Sequence, residues 1–240
     1  MGKLTQSLSG FRAVFRHELR MLFFAPLSYL FQIAFLLGLS TCVFLVTDFY
    51  ASDEATMRLL LVFIPWVSLI LIPSLAMSAW VDSQADRGLE LTFTLPVGLA
   101  AVVLGKFSAG YVLLLLTLGL TFPFVLTLGY LGDPDLGVIT SGYLACALLL
   151  GVCFSLALFA AALVREPVGG FVTGVALLFL IMLCGWDIFG RLLRTTLPQW
   201  AWESLAAYSP VTWLSSLGAG VLYFQGLFYF LATISVALMA

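Results

Sequence analysis

Long apolar runs separated by short polar intervals set the plan of this chain. Six runs are long enough for a bilayer crossing, near 27–47, 59–80, 107–128, 138–164, 168–189 and 221–240, since a helical span needs ~20 residues. Each run is continuous rather than alternating, which predicts helices and not barrel strands. In lipid such segments must pair their backbone groups internally, as helices do. Residues 9–24 show another pattern. Phe11, Phe15, Leu19, Leu22 and Phe23 fall on one helical face, while Arg12, Arg16 and Arg20 recur at every fourth position on another. That predicts an elbow helix lying in the membrane interface ahead of the first span. It would anchor on anionic membrane lipid or help to dock a cytoplasmic partner, and the two roles are compatible.

The sizeable polar island is Asp82-Ser83-Gln84-Ala85-Asp86-Arg87-Gly88-Leu89-Glu90, which runs on to Pro96 between the second and third spans. Asp82 or Ser83 can cap a short helix. Gly88 can end or bend it, and Pro96 stops a second piece before the next span. Asp82, Asp86, Arg87 and Glu90 are left for water or for a docking surface. Spacing alone favours a solvated connecting loop.

Composition agrees with the pattern. Of 240 residues, 62% are hydrophobic and 9% charged, far from the balance of a soluble domain. The net charge of −2 and the thin spread of basic residues argue against a nucleic-acid partner. The basic residues do set an orientation. With the N-terminus inside, the inner segments carry Lys3, Arg12, Arg16, Arg20, Arg87, Lys106 and Arg165, and the outer ones Arg58, Arg191 and Arg194. Seven against three predicts both termini in the cytoplasm. Lys106, at the start of its span, is expected to snorkel to the interface. The first run is too long for the apolar core of a secretory signal.

Energy-coupling chemistry is sparse. The acids Asp48, Asp53, Glu54, Asp133, Asp135, Asp187 and Glu203 sit in outer segments, and Glu18, Asp82, Asp86, Glu90 and Glu166 in inner ones. A mid-membrane carboxylate, the usual mark of a proton-coupled carrier, is therefore not expected. Ser and Thr side chains remain available for a sodium ion. The nearest approach to a phosphate-binding loop is Gly105-Lys106-Phe107, where Phe107 replaces the magnesium-binding hydroxyl and Ala100 the first glycine. One histidine, His17, excludes a His-rich metal site. Cys42, Cys146, Cys153 and Cys184 all lie in apolar runs without a CxxC pair, as small buried hydrophobes do. An intramembrane enzyme would need convergent acid, base or metal ligands, which this inventory does not supply.

Other positions invite structural roles. Pro65 and Pro73 in the second span each remove a helix hydrogen bond and are candidate hinge points or static bends. Gly169, Gly170 and Gly174 permit close helix packing. The outer segment 190–220 carries Arg191, Arg194, Pro198, Trp200, Trp202, Tyr208, Pro210 and Trp213, a composition expected of an aromatic belt. With Trp186 and Asp187 at the end of the fifth run, Tyr208 and Pro210 form a candidate outer gate.

Several linked motifs carry a resemblance. They are Ile64-Pro65-Trp66-Val67-Ser68-Leu69-Ile70-Leu71-Ile72-Pro73-Ser74-Leu75-Ala76-Met77, then Asp86-Arg87-Gly88-Leu89-Glu90-Leu91, then Leu95-Pro96-Val97, then Leu104-Gly105-Lys106-Phe107, with Tyr208-Ser209-Pro210 further on. In order and approximate spacing these resemble the type-2 ABC transporter permeases, and look closest to the gliding-motility-type permease subunit. Leu89 stands where that family usually has threonine.

The resemblance implies one all-α transmembrane domain over 1–240, with six transmembrane helices, an interfacial elbow helix (9–24), a cytoplasmic coupling helix (82–96) and an extracytoplasmic segment (190–220). It implies that Asp82, Asp86, Arg87, Gly88 and Glu90 belong to the ATPase-coupling segment. The chain would not itself be an enzyme: ATP and Mg would bind on a separate ABC ATPase subunit. Further implied partners are a second permease copy or a related permease, and a companion subunit with an extracytoplasmic domain. The expected setting is a bacterial inner membrane, and the expected activity is that of an ABC exporter subunit. The alternative is an ATP-driven mechanotransmitter or scaffold that acts on an outer partner without moving a substrate.

Overall fold

A computed structural model of the protein describes residues 2–46, 58–85, 99–131, 135–164, 166–186, 207–220 and 223–239. Among the described residues the architecture is all-helical, with no strand. The helices are α1 (Gly2–Phe24), α2 (Pro26–Thr41), α3 (Arg58–Ala85), α4 (Leu99–Gly119), α5 (Phe122–Leu131), α6 (Leu136–Leu163), α7 (Pro167–Leu183), α8 (Pro210–Gly218) and α9 (Phe224–Met239). A π-helical turn, Cys42–Val46, extends α2.

Among the described residues four stretches are long and apolar enough to cross a membrane: Pro26–Leu45, Leu59–Ala79, Ala100–Tyr130 and Leu136–Leu163. They mark the chain as a membrane protein. Two shorter apolar helices stand where the fifth and sixth runs were expected, with 17 residues in α7 and 16 in α9. At 1.5 Å per residue these measure about 25 Å, short of a hydrocarbon core of about 30 Å.

The elements differ from expectation at their ends. The amphipathic helix begins at Gly2 rather than residue 9 and ends at Phe24, and the extended backbone of Ala25 hands over to Pro26 at the first position of α2. The third run begins at Leu99, eight positions before residue 107. It breaks at Leu120 and Thr121, where Thr121 N–H turns to the Leu118 carbonyl at 3.1 Å and Pro123 has no N–H to give. The buried Thr121 hydroxyl lies 3.0 Å from that of Tyr143, so the break is tied to α6.

Helix α6 is the hub. It packs against α3, α4, α7, α8 and α9, and Cys146, Leu149, Leu150, Val152, Cys153, Phe154 and Ala157 along it are buried. Small residues let its neighbours come close. Gly110 of α4 leaves room for the Phe154 ring, which a Cβ would overlap, and Gly170 of α7 sits against the Ala161 backbone. Phe107 stacks on both Tyr111 and Phe154, and the Tyr111 hydroxyl donates to the Ala147 carbonyl at 3.1 Å. Exposed apolar side chains cover the periphery, among them Leu30, Ile33 and Leu37 on α2 and Val172, Phe179 and Leu180 on α7. In lipid such an exterior carries no penalty.

Contacts between successive helices assign two ends to the bundle. Gly38 meets Val67, Gly174 meets Pro73, and Gly218 meets Leu61. Thus α2, α4 and α7 run from the α1 end toward the α8 end, and α3, α6 and α9 return.

Candidate functional site

The polar chemistry at the α1 end converges on Lys106. Instead of snorkelling outward, its side chain is turned into the bundle and is 5% exposed. Its Nζ donates to Glu18 Oε1 of α1 at 2.7 Å and to the Ala79 carbonyl of α3 at 2.8 Å. Glu18 is 19% exposed. An isolated ammonium would not tolerate such a place. The carboxylate compensates the desolvated charge through a short, charge-assisted bond, and the carbonyl fills a second of the three donor directions.

Local sequence brings the partners together. Gly105 precedes Lys106 and removes a side chain where α1 crosses α4. A Cβ there would stand 2.7 Å from Val14 Cγ1 and 3.4 Å from the Phe15 backbone nitrogen. Val14 and Glu18 are one turn apart and share the face of α1 that meets α4. The partners lie 88 and 27 residues from Lys106 in sequence. One ammonium group therefore ties α1, the late part of α3 and the early part of α4.

This node brackets the polar island. Ala79 lies three positions before Asp82, which falls within α3, a rise of about 4.5 Å. Lys106 lies seven positions after Leu99, where α4 begins, a rise of about 10 Å. Asp86, Arg87, Gly88 and Glu90 lie outside the described residues. The described flanks of the island are thus held to each other and to α1. Arg12, Arg16 and Arg20 sit on α1 and are exposed, turned away from the node.

The candidate hinge prolines take a different form. Helix α3 is continuous from Arg58 to Ala85 through both of them, and both are buried. Pro73 packs on α7, where a Cβ at Gly174 would lie 3.1 Å from the Pro73 Cβ. Pro73 thereby fits a glycine notch in a neighbouring helix.

At the opposite end, three of the four candidate gate residues fall within one packed layer. Trp186 meets Trp66 edge-on with ring centroids 4.8 Å apart. Pro210 is the buried first residue of α8. The Tyr208 side chain is exposed, while its carbonyl accepts the Tyr229 hydroxyl of α9. Asp187 lies outside the described residues. The segment expected as an aromatic belt therefore contains a helix, and α8 contacts α3, α6, α7 and α9.

Gly185, which the sequence pattern did not single out, closes this layer together with Trp213 of the expected belt. A Cβ at Gly185 would overlap Ser209 Oγ, so the turn after α7 presses on the start of α8. Trp213 stacks near Tyr229 and donates its indole N–H to the Ala207 carbonyl at 2.9 Å. A Ser-Pro pair is a readable helix start. Gly185 offers no such signal.

Among the described residues no three His, Cys, Asp or Glu side chains converge as a metal site would require. What the α1 end offers is a buried ion pair and hydrogen bond that join three helices beside the polar island. The chain matches no protein-family model and no curated protein.

Proposed function

We propose that this chain is the membrane-spanning subunit of an ABC exporter, powered by a separate ATPase. The observation that carries the reading is the Lys106–Glu18–Ala79 junction. An ATPase that pushes on the connection between α3 and α4 needs both flanks to move with α1 as one lever. Lys106 joins those three elements through a 2.7 Å ion pair and a 2.8 Å hydrogen bond. Nucleotide-driven closure of two ATPases would then shift the bundle between inward- and outward-open arrangements. Such a shift draws on the different nucleotide contacts of the two states.

In this reading Asp82, Asp86, Arg87, Gly88 and Glu90 form the coupling segment, and ATP and Mg bind on the partner. Six helices cross a bacterial inner membrane, α7 and α9 among them, with both termini cytoplasmic. A second permease copy or a related permease completes the transporter, and a companion subunit with an extracytoplasmic domain can join it. Pro65 and Pro73 are the points where α3 would flex. Trp186, Asp187, Tyr208 and Pro210 would form the outer gate.

One observation favours a second reading. Helix α8 and its contacts with Trp66, Gly185 and Tyr229 make a connected layer at the end away from α1. Such a layer could pass motion to an extracytoplasmic partner with no substrate crossing. Reconstitution of the chain with its ATPase into liposomes separates the two. ATP-dependent vectorial accumulation of an amphiphile is expected for an exporter. ATP-dependent change in the outer layer without flux would assign the mechanotransmitter role.

A further inference from the structure

Helix α1 has two distinct faces, and among the described residues one of them packs on the bundle while the other is exposed. At 100° per residue, Val14 and Glu18 share the side that meets α4, while Arg12, Arg16 and Arg20 are centred almost diametrically opposite. All three arginines are exposed, as is His17 beside them. Glu18 is the one acid in residues 2–24, and it is committed to Lys106. Among the described residues none of the three arginines forms an ion pair. Among the described residues the outward face is therefore a cationic row without a paired counter-charge. Three guanidiniums at successive turns span about 12 Å.

The position of this row along the chain selects its ligand. Phe24, one turn beyond Arg20, is 85% exposed, and Leu27, Leu30, Ile33 and Leu37 continue an exposed apolar set along α2. Helix α2 belongs to the first candidate membrane span. The arginine row thus ends within one turn of side chains that belong in the acyl region, which sets Arg20 at headgroup depth. The Tyr29 hydroxyl donates to the Phe23 carbonyl at 2.8 Å, closing the corner between the row and the span. Phosphate oxygens at that depth suit the planar donor fork of arginine.

We propose that Arg12, Arg16 and Arg20 bind the phosphate headgroups of anionic phospholipid, and that occupancy is transmitted to α3 and α4 through the Glu18–Lys106 junction on the opposite face of the same helix. Lipid charge would then set how firmly α1 is seated on α4. In the exporter reading this tunes coupling, but the site and its transmission are measurable on the chain alone, whatever becomes of that reading.

The test uses the full chain with phosphatidylglycerol and phosphatidylcholine as probes. Native mass spectrometry of detergent-solubilised protein should show preferential retention of phosphatidylglycerol. An enrichment on the order of fivefold per engaged guanidinium is expected at low salt, shrinking as ionic strength rises. The R12Q/R16Q/R20Q variant should lose the preference, and the charge-retaining R12K/R16K/R20K variant should keep most of it. If the triple glutamine variant does not fold, each single substitution should still lower the preference severalfold.

Transmission is read by hydrogen exchange in lipid discs. Phosphatidylglycerol should slow exchange at the start of α4 in the wild type. Glu18→Gln should abolish that slowing while lipid preference stays. Equal retention of the two lipids by the wild type, as expected if the row faces an acidic protein instead, would overturn the lipid site. So would a preference that survives in the glutamine variants. Unchanged slowing in Glu18→Gln would overturn the transmission.

Discussion

Removing Glu18 should cost far more than removing Lys106, although they share one bond. In Glu18→Ala the ammonium of Lys106 stays in a place where it is 5% exposed, and it loses the carboxylate 2.7 Å away. Breaking a fully buried pair from one side costs about 3–5 kcal/mol. Glu18 is 19% exposed, so water can partly follow, and about 2–3 kcal/mol is the expected loss. In Lys106→Met the apolar stem is retained, and the freed carboxylate is the partner nearer to water. That change should cost about 1 kcal/mol. The double variant Glu18→Ala/Lys106→Met removes both charges of the pair, so it should be more stable than Glu18→Ala alone. The cycle should return a coupling energy of about 1.5–2 kcal/mol. SDS titration in mixed micelles, read by tryptophan fluorescence, supplies the four stabilities. Additivity within about 0.5 kcal/mol, or a Glu18→Ala protein as stable as wild type, would refute the claim that this ion pair joins the helices.

Gly105→Leu should unseat α1 from α4, because even a Cβ there stands 2.7 Å from Val14 Cγ1; a loss of about 1–3 kcal/mol is expected, with faster proteolysis of α1 as the local readout. Gly185→Ala should push α8 away from α7, since the added methyl meets Ser209; a cysteine placed at Ser209, buried in the native protein, should become reactive to a soluble maleimide in that background and stay protected without it. Ser68 is fully buried and among the described residues its hydroxyl has no hydrogen-bond partner, so Ser68→Ala should be neutral or stabilise by up to about 1 kcal/mol; a clear destabilisation in the same SDS titration would mean the hydroxyl is engaged.

Four of the six expected spans were legible because long continuous apolar runs leave little choice of structure in lipid. Two features blurred them. Lys106 marks the edge of an apolar run only if its charge must reach water. Its counter-ion comes from Glu18, 88 positions earlier, and no local signal announces that pairing. The start of α4 was therefore placed late. The arginine period on α1 correctly indicated an amphipathic helix, but the polar residues before position 9 carry no such period, so its beginning was missed. At the other end, tryptophans and tyrosines suggested an interfacial belt. The Ser209-Pro210 helix start and the left-handed Gly220, with φ of 89°, delimit a buried helix that composition alone hid. Of the candidate coupling residues, Asp82 falls in α3, while the rest of the set lies outside the described residues. The junction beside that set depends on residues far apart in sequence.

The central claim, that the connection between α3 and α4 receives force from an ABC ATPase, is tested most directly by affinity purification from gently solubilised membranes. An ABC ATPase should co-purify with the wild-type chain and be released by the charge-reversing D86K/E90K variant, with loss of ATPase activity in the eluate. Unchanged co-purification and unchanged ATPase activity in that variant would contradict it.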